Sequence, residues 1–122
     1  EITVEKIMTH RKKIYSIDLN NKQNFFSTIA KSSFSRIPVW EKNPNNILGL
    51  IHAKNVLTNL NDNGQLDISK IKDNLIKPWF IPETTKAKDQ LGEFIARKEK
   101  LAFVVDEYGE LMGLIFFFDF FF

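Results

Sequence analysis

The sequence predicts a mixed α/β (α+β) fold in which one β-α-β-β-α unit with a three-stranded sheet occurs twice. The first observation is a repeat of the apolar pattern, which aligns Ile14 with Phe80 and Ile37 with Phe103. The second is that each half has two short apolar runs around a segment rich in turn residues, as in a strand hairpin. The third is apolar i, i+4 spacing ahead of each hairpin, as in a helix.

Repeat 1 comprises residues 1–62. Its predicted elements are, in chain order, a short helix near Val4–Met8, a strand at Ile14–Ile17, a helix at Lys22–Ser32, hairpin strands at Ile37–Trp40 and Ile47–His52, and a helix at Ala53–Leu60. The long helix is predicted because Phe25 and Ile29 lie one helical turn apart. The hairpin is predicted because residues 41–46 supply the Asn and Pro that turns require.

Repeat 2 comprises residues 63–122, and its last helix is truncated. Its predicted elements are a helix at Ile68–Leu75, a strand at Trp79–Ile81, a helix at Thr85–Lys98, hairpin strands at Ala102–Val105 and Leu111–Ile115, and a helix from Phe117. Thr84 or Thr85 is predicted to cap the long helix, and Asp106–Gly109 is predicted to form a tight turn. A three-stranded sheet with helices on one face leaves its other face bare. We therefore expect the two sheets to pack face to face about a pseudo-twofold axis.

Composition and charge are those of an ordinary globular domain. Of 122 residues, 43% are hydrophobic and 26% are charged. The net charge is +2 and the 17 basic residues are scattered, which argues against nucleic acid as a partner. The sequence has no cysteine and no apolar run of about 18 residues, so neither disulfides nor a membrane span is predicted. No nucleophile, base or metal-ligand spacing is evident, and we predict that the chain is not an enzyme and has no metal site.

Six segments carry a resemblance to a known family. They are Ile7–Arg11 (IMTHR), Ser35–Val39 (SRIPV), Asn46–Leu57 (NILGLIHAKNVL), Pro82–Thr84 (PET), Ala102–Gly109 (AFVVDEYG) and Gly113–Ile115 (GLI). The chain resembles a tandem pair of cystathionine-β-synthase (CBS) domains, also called a Bateman module, of the CorC/HlyC family. This family comprises hemolysin-like and magnesium/cobalt-efflux proteins and is related to the CNNM transporters. The resemblance covers essentially the whole chain.

The resemblance implies a regulatory module that binds an adenine nucleotide. CBS pairs bind AMP, ADP or ATP in the cleft between their sheets, with any Mg²⁺ carried by the phosphates, and they form homodimers through their helices. They regulate an attached domain, here a membrane or C-terminal domain of the same chain. The fragment is expected to be soluble and to lie on the cytoplasmic side of an inner or plasma membrane. The alternative is a non-enzymatic interaction or dimerisation module whose nucleotide pockets are degenerate.

The family pattern also implies site residues. It has a Thr for the phosphates at the end of each last strand and an Asp for the ribose one turn later. In repeat 2, Asp119 keeps the ribose position, while Phe116 replaces the Thr and Phe118 replaces a Glu. In repeat 1, His52 and Asn55 take the Thr and Asp positions. The predicted nucleotide-binding residues are these five, together with Leu114 and the opposite wall of the Asp119 site, Phe34, Ser35, Arg36 and Pro38.

Two sequence features raise separate expectations. Pro38 is predicted to mark a sheet edge or a bulge, because proline cannot donate to a strand ladder. The last seven residues, Phe116–Phe122, include six phenylalanines, and no amphipathic helix has such a pattern. Two interpretations of this tail stay open: an apolar interface or membrane-apposed end, and a terminus altered by mutation.

Overall fold

The computed structural model describes residues 1–21, 25, 27–29 and 35–121. Its strands are β1 (Thr9–His10), β2 (Ile17–Asp18), β3 (Arg36–Trp40), β4 (Ile47–His52), β5 (Phe80–Pro82), β6 (Leu101–Val105) and β7 (Leu111–Phe116). α-Helices span Ile68–Asp73 and Ala87–Arg97, and 3-10 helices span Val4–Lys6, Arg11–Lys13, Ala53–Asn59 and Phe117–Phe121. The predicted mixed α/β fold with two sheets is confirmed. No helix in the described part of the chain is long and apolar enough to cross a bilayer.

The chain forms two compact units that do not follow its linear order. The central unit is Tyr15–Pro78, and the terminal unit joins Glu1–Ile14 to Trp79–Phe122. The predicted boundary between residues 62 and 63 divides the sequence into repeats and stays a prediction, because the compact units are defined by contacts. Each unit combines the body of one repeat with the leading segment of the other.

The central unit contains a three-stranded sheet in the order β2-β3-β4, with β2 parallel and β4 antiparallel to β3. Ile37 lies opposite Ile51, and both side chains face the core. The other buried residues of this core are Ile17, Leu19, Phe25, Val39, Val56, Leu66 and Ile71. The side chain of Asp67 caps the helix Ile68–Asp73 by accepting a hydrogen bond from the Lys70 N–H at 3.1 Å.

Pro38 lies in the middle strand of this sheet, so the predicted edge position is wrong. The irregularity of β3 comes one residue later, between Val39 and Trp40. Leu50, opposite Pro38, makes its backbone hydrogen bonds to Ile76, at 2.9 and 2.8 Å. Position 38 therefore needs no donor toward β4, and β2 pairs with β3 only from Val39 onward. The strand can hold a proline here because no ladder hydrogen bond is lost.

The terminal unit contains a four-stranded sheet in the order β1-β7-β6-β5, one strand more than predicted. The extra strand is β1, in which Thr9 lies opposite Leu114 of β7. Phe94 is at the centre of the core and makes edge contacts with the rings of Trp79, Phe117 and Phe120, at centroid distances of 5.4, 6.0 and 5.9 Å. The other buried core residues are Val4, Ile81, Ala102, Val104 and Ile115.

A glycine in each unit allows the leading segment of the other repeat to approach closely. A Cβ atom on Gly113 would lie 2.5 Å from the Thr9 carbonyl oxygen, and one on Gly49 would lie 2.7 Å from the Ile76 carbonyl oxygen. Real Cβ atoms do not approach other atoms this closely, so neither site has room for a side chain. Thr9 and Ile76 thus hold equivalent places in the two units, and the sequence repeat is also a structural repeat.

The structure corrects the register of that repeat. Ile37 lies opposite Ile51, and Ala102 lies opposite Ile115 in the same position of the other unit. Ile37 therefore corresponds to Ala102 and not to Phe103. The difference matters because a shift of one residue exchanges the two faces of a strand. The strand predicted at Ile14–Ile17 is likewise observed at Ile17–Asp18.

The helices agree only in part with the predictions. The helix predicted for Lys22–Ser32 lies mostly outside the described residues, although Phe25 is helical and 1% exposed. The helix Ala87–Arg97 begins after Lys86, whose side chain makes no capping hydrogen bond, so the predicted threonine cap is wrong. Its C-cap is Lys98, in the left-handed conformation with φ of 57°. The tight turn is confirmed: Asp106 Oδ1 accepts from the N–H groups of Tyr108 and Glu110, each at 2.9 Å.

Candidate functional site

The predicted site residues lie mainly at two corners where the last strand of a hairpin runs into a 3-10 helix. In the central unit, β4 leads into Ala53–Asn59, and the Ala53 N–H donates to the Ser35 carbonyl at 2.9 Å. In the terminal unit, β7 leads into Phe117–Phe121, and the Phe117 N–H donates to the Lys100 carbonyl at 2.8 Å. Equivalent backbone hydrogen bonds therefore hold the two corners in place.

The terminal corner consists of Leu114, Phe116, Phe118 and Asp119. Asp119 turns back onto the end of β7, where its Oδ2 accepts a hydrogen bond from the Phe116 N–H at 2.9 Å. The Phe118 ring stacks on the Phe116 ring, with centroids 5.0 Å apart and planes 18° apart. Leu114 and Phe116 are buried on one face of β7, whereas Phe118 is 45% exposed. The corner therefore presents a carboxylate beside an accessible aromatic ring.

Asp119 is partly buried at this corner. Partial burial raises the pKa of the Asp119 carboxyl above its usual value, and the hydrogen bond from the Phe116 N–H opposes that rise. A carboxylate held in this way is incompletely solvated. It gains more from new hydrogen-bond donors, such as the hydroxyls of a sugar, than a fully hydrated carboxylate would.

The central corner consists of Ser35, Arg36, His52, Lys54 and Asn55. Arg36 and His52 are directly opposite each other on β3 and β4, so their side chains share the sheet face that points away from Ile37 and Ile51. Both are partly buried, while Ser35, Lys54 and Asn55 are exposed. This corner is basic where the terminal corner is acidic.

The surroundings of His52 lower the pKa of its imidazole. Its Nδ1 atom is buried and has no hydrogen-bond partner among the described residues. Burial lowers the pKa of His52, and the positive charges of Arg36 and Lys54 lower the same pKa further. The imidazole thus carries an unused polar atom next to two cations.

The structure brings together only some of the predicted residues. It places Leu114, Phe116, Phe118 and Asp119 at one corner of the terminal unit and Ser35, Arg36, His52 and Asn55 at one corner of the central unit. Pro38 is buried on the Arg36 face of the central sheet, and Phe34 lies outside the described residues.

Sequence reasoning missed that Arg36 and His52 form a pair, and it missed Lys54. The signal for the pair was present in the hairpin register, because setting Ile37 opposite Ile51 also sets Arg36 opposite His52.

Two further observations limit other kinds of site. An open cavity of about 400 Å³ in the central unit is lined by Glu41, Leu48, Lys72, Leu75, Lys77 and Pro78, none of which was predicted as a site residue. Its Lys72 Nζ already pairs with the Glu41 carboxylate at 3.1 Å. Across the part of the chain that the structure describes, no three His, Asp or Glu side chains are grouped so that they could hold a metal ion.

The curated proteins that are similar to this chain in sequence include magnesium and cobalt efflux proteins. No protein-family model matches the chain. The magnesium and cobalt efflux protein CorC of Pasteurella multocida is 34% identical over 118 residues, which are 94% of this chain and 38% of CorC. The chain spans less than half the length of the curated relatives it matches.

The solved structures that are similar to this chain include CBS-domain proteins. A CBS domain protein from Shewanella oneidensis MR-1 superposes with a TM-score of 0.81 at 30% identity, covering 96% of this chain and 92% of that one. The CBS domain of a bacterial CNNM/CorC family Mg²⁺ transporter in complex with ATP superposes with a TM-score of 0.78 at 28% identity, covering 96% of this chain and 82% of that one.

Proposed function

Because this chain belongs to the CorC/HlyC family and is a pair of CBS domains, we propose that it is a regulatory module that binds an adenine nucleotide at the terminal corner. The relative that carries ATP supports the ligand class. The observation in this chain that carries the proposal is Asp119, a partly desolvated carboxylate in the 3-10 helix that follows β7, with the accessible Phe118 ring in the same corner.

Each group of the terminal corner has a role in this proposal. The free lone pairs of the Asp119 carboxylate accept hydrogen bonds from the ribose hydroxyls. The exposed Phe118 ring offers a face on which a purine can stack, and the buried Leu114 and Phe116 supply an apolar base for the pocket. No hydroxyl side chain stands at position 116 for the phosphates, so we propose that the nucleoside contributes most of the affinity.

At the level of the whole protein, we propose that the module regulates an attached transport domain. The relatives that share its sequence include magnesium and cobalt efflux proteins, and this is the class of parent that we infer. The nucleotide acts by binding one conformation of the module more tightly, which shifts its population, and the attached domain responds to that shift. We propose that the module lies on the cytoplasmic side of the membrane, forms a homodimer and carries out no catalytic step.

Calorimetric titration of the 122-residue chain with AMP, ADP and ATP, each with and without Mg²⁺, tests this function. We expect saturable binding to the wild type and at least about tenfold weaker binding to Asp119→Asn, because the neutral amide loses the charge-assisted hydrogen bonds. Asp67→Asn, a change of the same kind at the helix cap of the central unit, is the matched control and should bind as the wild type does. Absence of heat and of a melting shift at millimolar nucleotide would sink the proposal.

A second function is favoured by the exposed apolar side chains of the terminal unit. Ile95, Phe118 and Phe121 are 62%, 45% and 64% exposed, and Phe116 occupies the position where a phosphate-binding hydroxyl was expected. These features suit an interaction or dimerisation module with a degenerate pocket. Calorimetric titration separates the two functions, since light scattering should show a dimer in both cases and only the regulatory module should bind nucleotide.

A further inference from the structure

The loop between the two sequence repeats contains a chemically reactive pair of residues. Asn63 is followed by Gly64, and this is the one Asn-Gly pair in the sequence. Both residues are exposed. Because glycine has no Cβ atom, its main-chain nitrogen is open to approach and its backbone is freer than that of any other residue. The nucleotide proposal gives neither residue a role, so the loop has chemistry that this function does not explain.

Asn61 holds this loop closed through both its side chain and its main chain. Its Oδ1 atom accepts hydrogen bonds from the N–H groups of Asn63 and Gln65, at 2.9 and 3.0 Å. Its carbonyl oxygen accepts from the Gly64 N–H at 3.0 Å, and its N–H donates to the Gln65 carbonyl at 2.7 Å. These four hydrogen bonds, which we call the Asn61 clamp, therefore include the nitrogen of Gly64 that a reaction at Asn63 would need.

We propose that Asn63 is a site of spontaneous deamidation, that the Asn61 clamp controls its rate, and that the product loosens this loop. Asparagine is among the thermolabile residues. The Gly64 nitrogen, after losing its proton to hydroxide, attacks the side-chain carbonyl carbon of Asn63 and forms a cyclic succinimide. The bond from that carbon to the amide nitrogen breaks, and the nitrogen takes a proton from water and leaves as ammonia. Water then opens the ring at the side-chain carbonyl, which gives aspartate, or at the main-chain carbonyl, which gives isoaspartate.

The rate of this reaction depends on how often the clamp opens. The Gly64 nitrogen can attack only when its hydrogen bond to Asn61 is broken, and exposed loops open locally at little cost in free energy. The chain also contains an internal comparison, because Asn45 lies in another exposed turn, where its N–H donates to Asn43 Oδ1 at 2.9 Å. Asn45 is followed by an asparagine, whose side chain hinders the attack. Asn63 should therefore react first.

The isoaspartate product should affect the core of the central unit. It adds a methylene group to the main chain after Asn63, so the two N–H groups that follow can no longer both reach Asn61. The loop is flanked by Leu60 and Leu66, which pair with each other as an isolated bridge. Leu66 is 6% exposed and belongs to the core of this unit. The aspartate product keeps the length of the main chain and adds only a charge, so the two products should differ in their effect on stability.

Peptide mapping by mass spectrometry, after incubation of the chain at mildly alkaline pH, measures the rate at each asparagine. We expect conversion at Asn63 ahead of Asn45, at a rate that rises with hydroxide concentration and stays below that of an unfolded peptide of residues 61–67. Asn61→Ala should raise the rate at Asn63 about tenfold, because it removes the acceptor of two hydrogen bonds. Asn43→Ala makes the same change in the other turn and should leave the rate at Asn63 unchanged.

Thermal melts of the separated products test the effect on stability. The isoaspartate form, isolated by ion exchange and identified by enzymatic methylation of its main-chain carboxyl group, should melt below the unmodified chain. Asn63→Asp carries the same charge on an ordinary main chain and should melt as the wild type does. The proposal is overturned if Asn63 stays intact while the peptide converts completely, if Asn61→Ala leaves the rate unchanged, or if the isoaspartate form melts with Asn63→Asp. None of these outcomes depends on nucleotide binding at Asp119.

Discussion

Asp119 accepts a hydrogen bond from the backbone N–H of Phe116, three residues earlier, at 2.9 Å. The residue for which a sugar-binding role was predicted therefore also closes the end of its own strand. This double role links local stability to ligand affinity, and variants at this position should separate the two.

Substitution of Asp119 should move stability and binding in different directions. Asp119→Asn keeps an acceptor for the Phe116 N–H and removes a charge whose burial is unfavourable, so at pH 7 the unliganded chain should be as stable as the wild type or more stable. Asp119→Ala removes the acceptor and should destabilise the chain by about 1–2 kcal/mol. Urea unfolding measures both effects. An asparagine variant less stable than the alanine variant would contradict this account.

The two interior glycines should tolerate no side chain. Gly113→Ala and Gly49→Ala should each destabilise the chain by about 1–3 kcal/mol, because the new methyl group would overlap a backbone carbonyl oxygen. Gly92→Ala is the matched control: it lies in a helix with open space around it and should stabilise by about 0.5–1 kcal/mol. Equal effects of all three substitutions in thermal melts would argue against the close approach.

The free energy of unfolding should decrease as the pH falls, because of His52. Its pKa is lower in the folded chain, so at acidic pH the unfolded chain binds this proton more readily. The contribution of the neutral imidazole is complete above the ordinary pKa of about 6.5 and is lost as the pH falls toward the folded value. The melting temperature of the wild type should therefore drop below pH 6.5 more steeply than that of His52→Gln. Parallel pH profiles for the two proteins would refute the assignment.

The C-cap of the helix Ala87–Arg97 should be improved by glycine. Lys98 has a φ of 57°, a conformation that costs an L-residue roughly 1 kcal/mol and glycine almost nothing. Lys98→Gly should thus stabilise the chain by up to about 1 kcal/mol. Gly109→Ala, at a φ of 81°, makes the reverse change in the turn after β6 and should destabilise by a similar amount. Chemical denaturation of both variants checks the opposite signs.

Local patterns in the sequence predicted the hairpins well. The predicted strand Ile47–His52 matches β4, and Ala102–Val105 differs from β6 by one residue. Alternating apolar residues and turn chemistry decide such elements over short distances. The two-residue strand Ile17–Asp18 was misplaced because so short a segment contains no periodicity to detect.

Relationships between distant segments were not predictable in the same way. Each unit contains the leading segment of the other repeat because that segment packs against Gly113 or Gly49. A single glycine in a strand does not show in the sequence which segment will pack against it. At the candidate site, the resemblance supplied the positions of Asp119 and His52. The pairing of His52 with Arg36, and hence the basic character of that corner, required the strand register.

The pairing of Thr9 with Leu114 has a consequence for how the chain folds. Because β1 precedes β7 by about 100 residues, β1 is synthesised well before its partner and can pair only after β7 has left the ribosome. Closing so long a loop is slow, and chains with such contacts fold more slowly than those with local ones. The central unit, contained within Tyr15–Pro78, has no such delay. We therefore expect it to form early, while the terminal sheet is completed only after β7 has been synthesised.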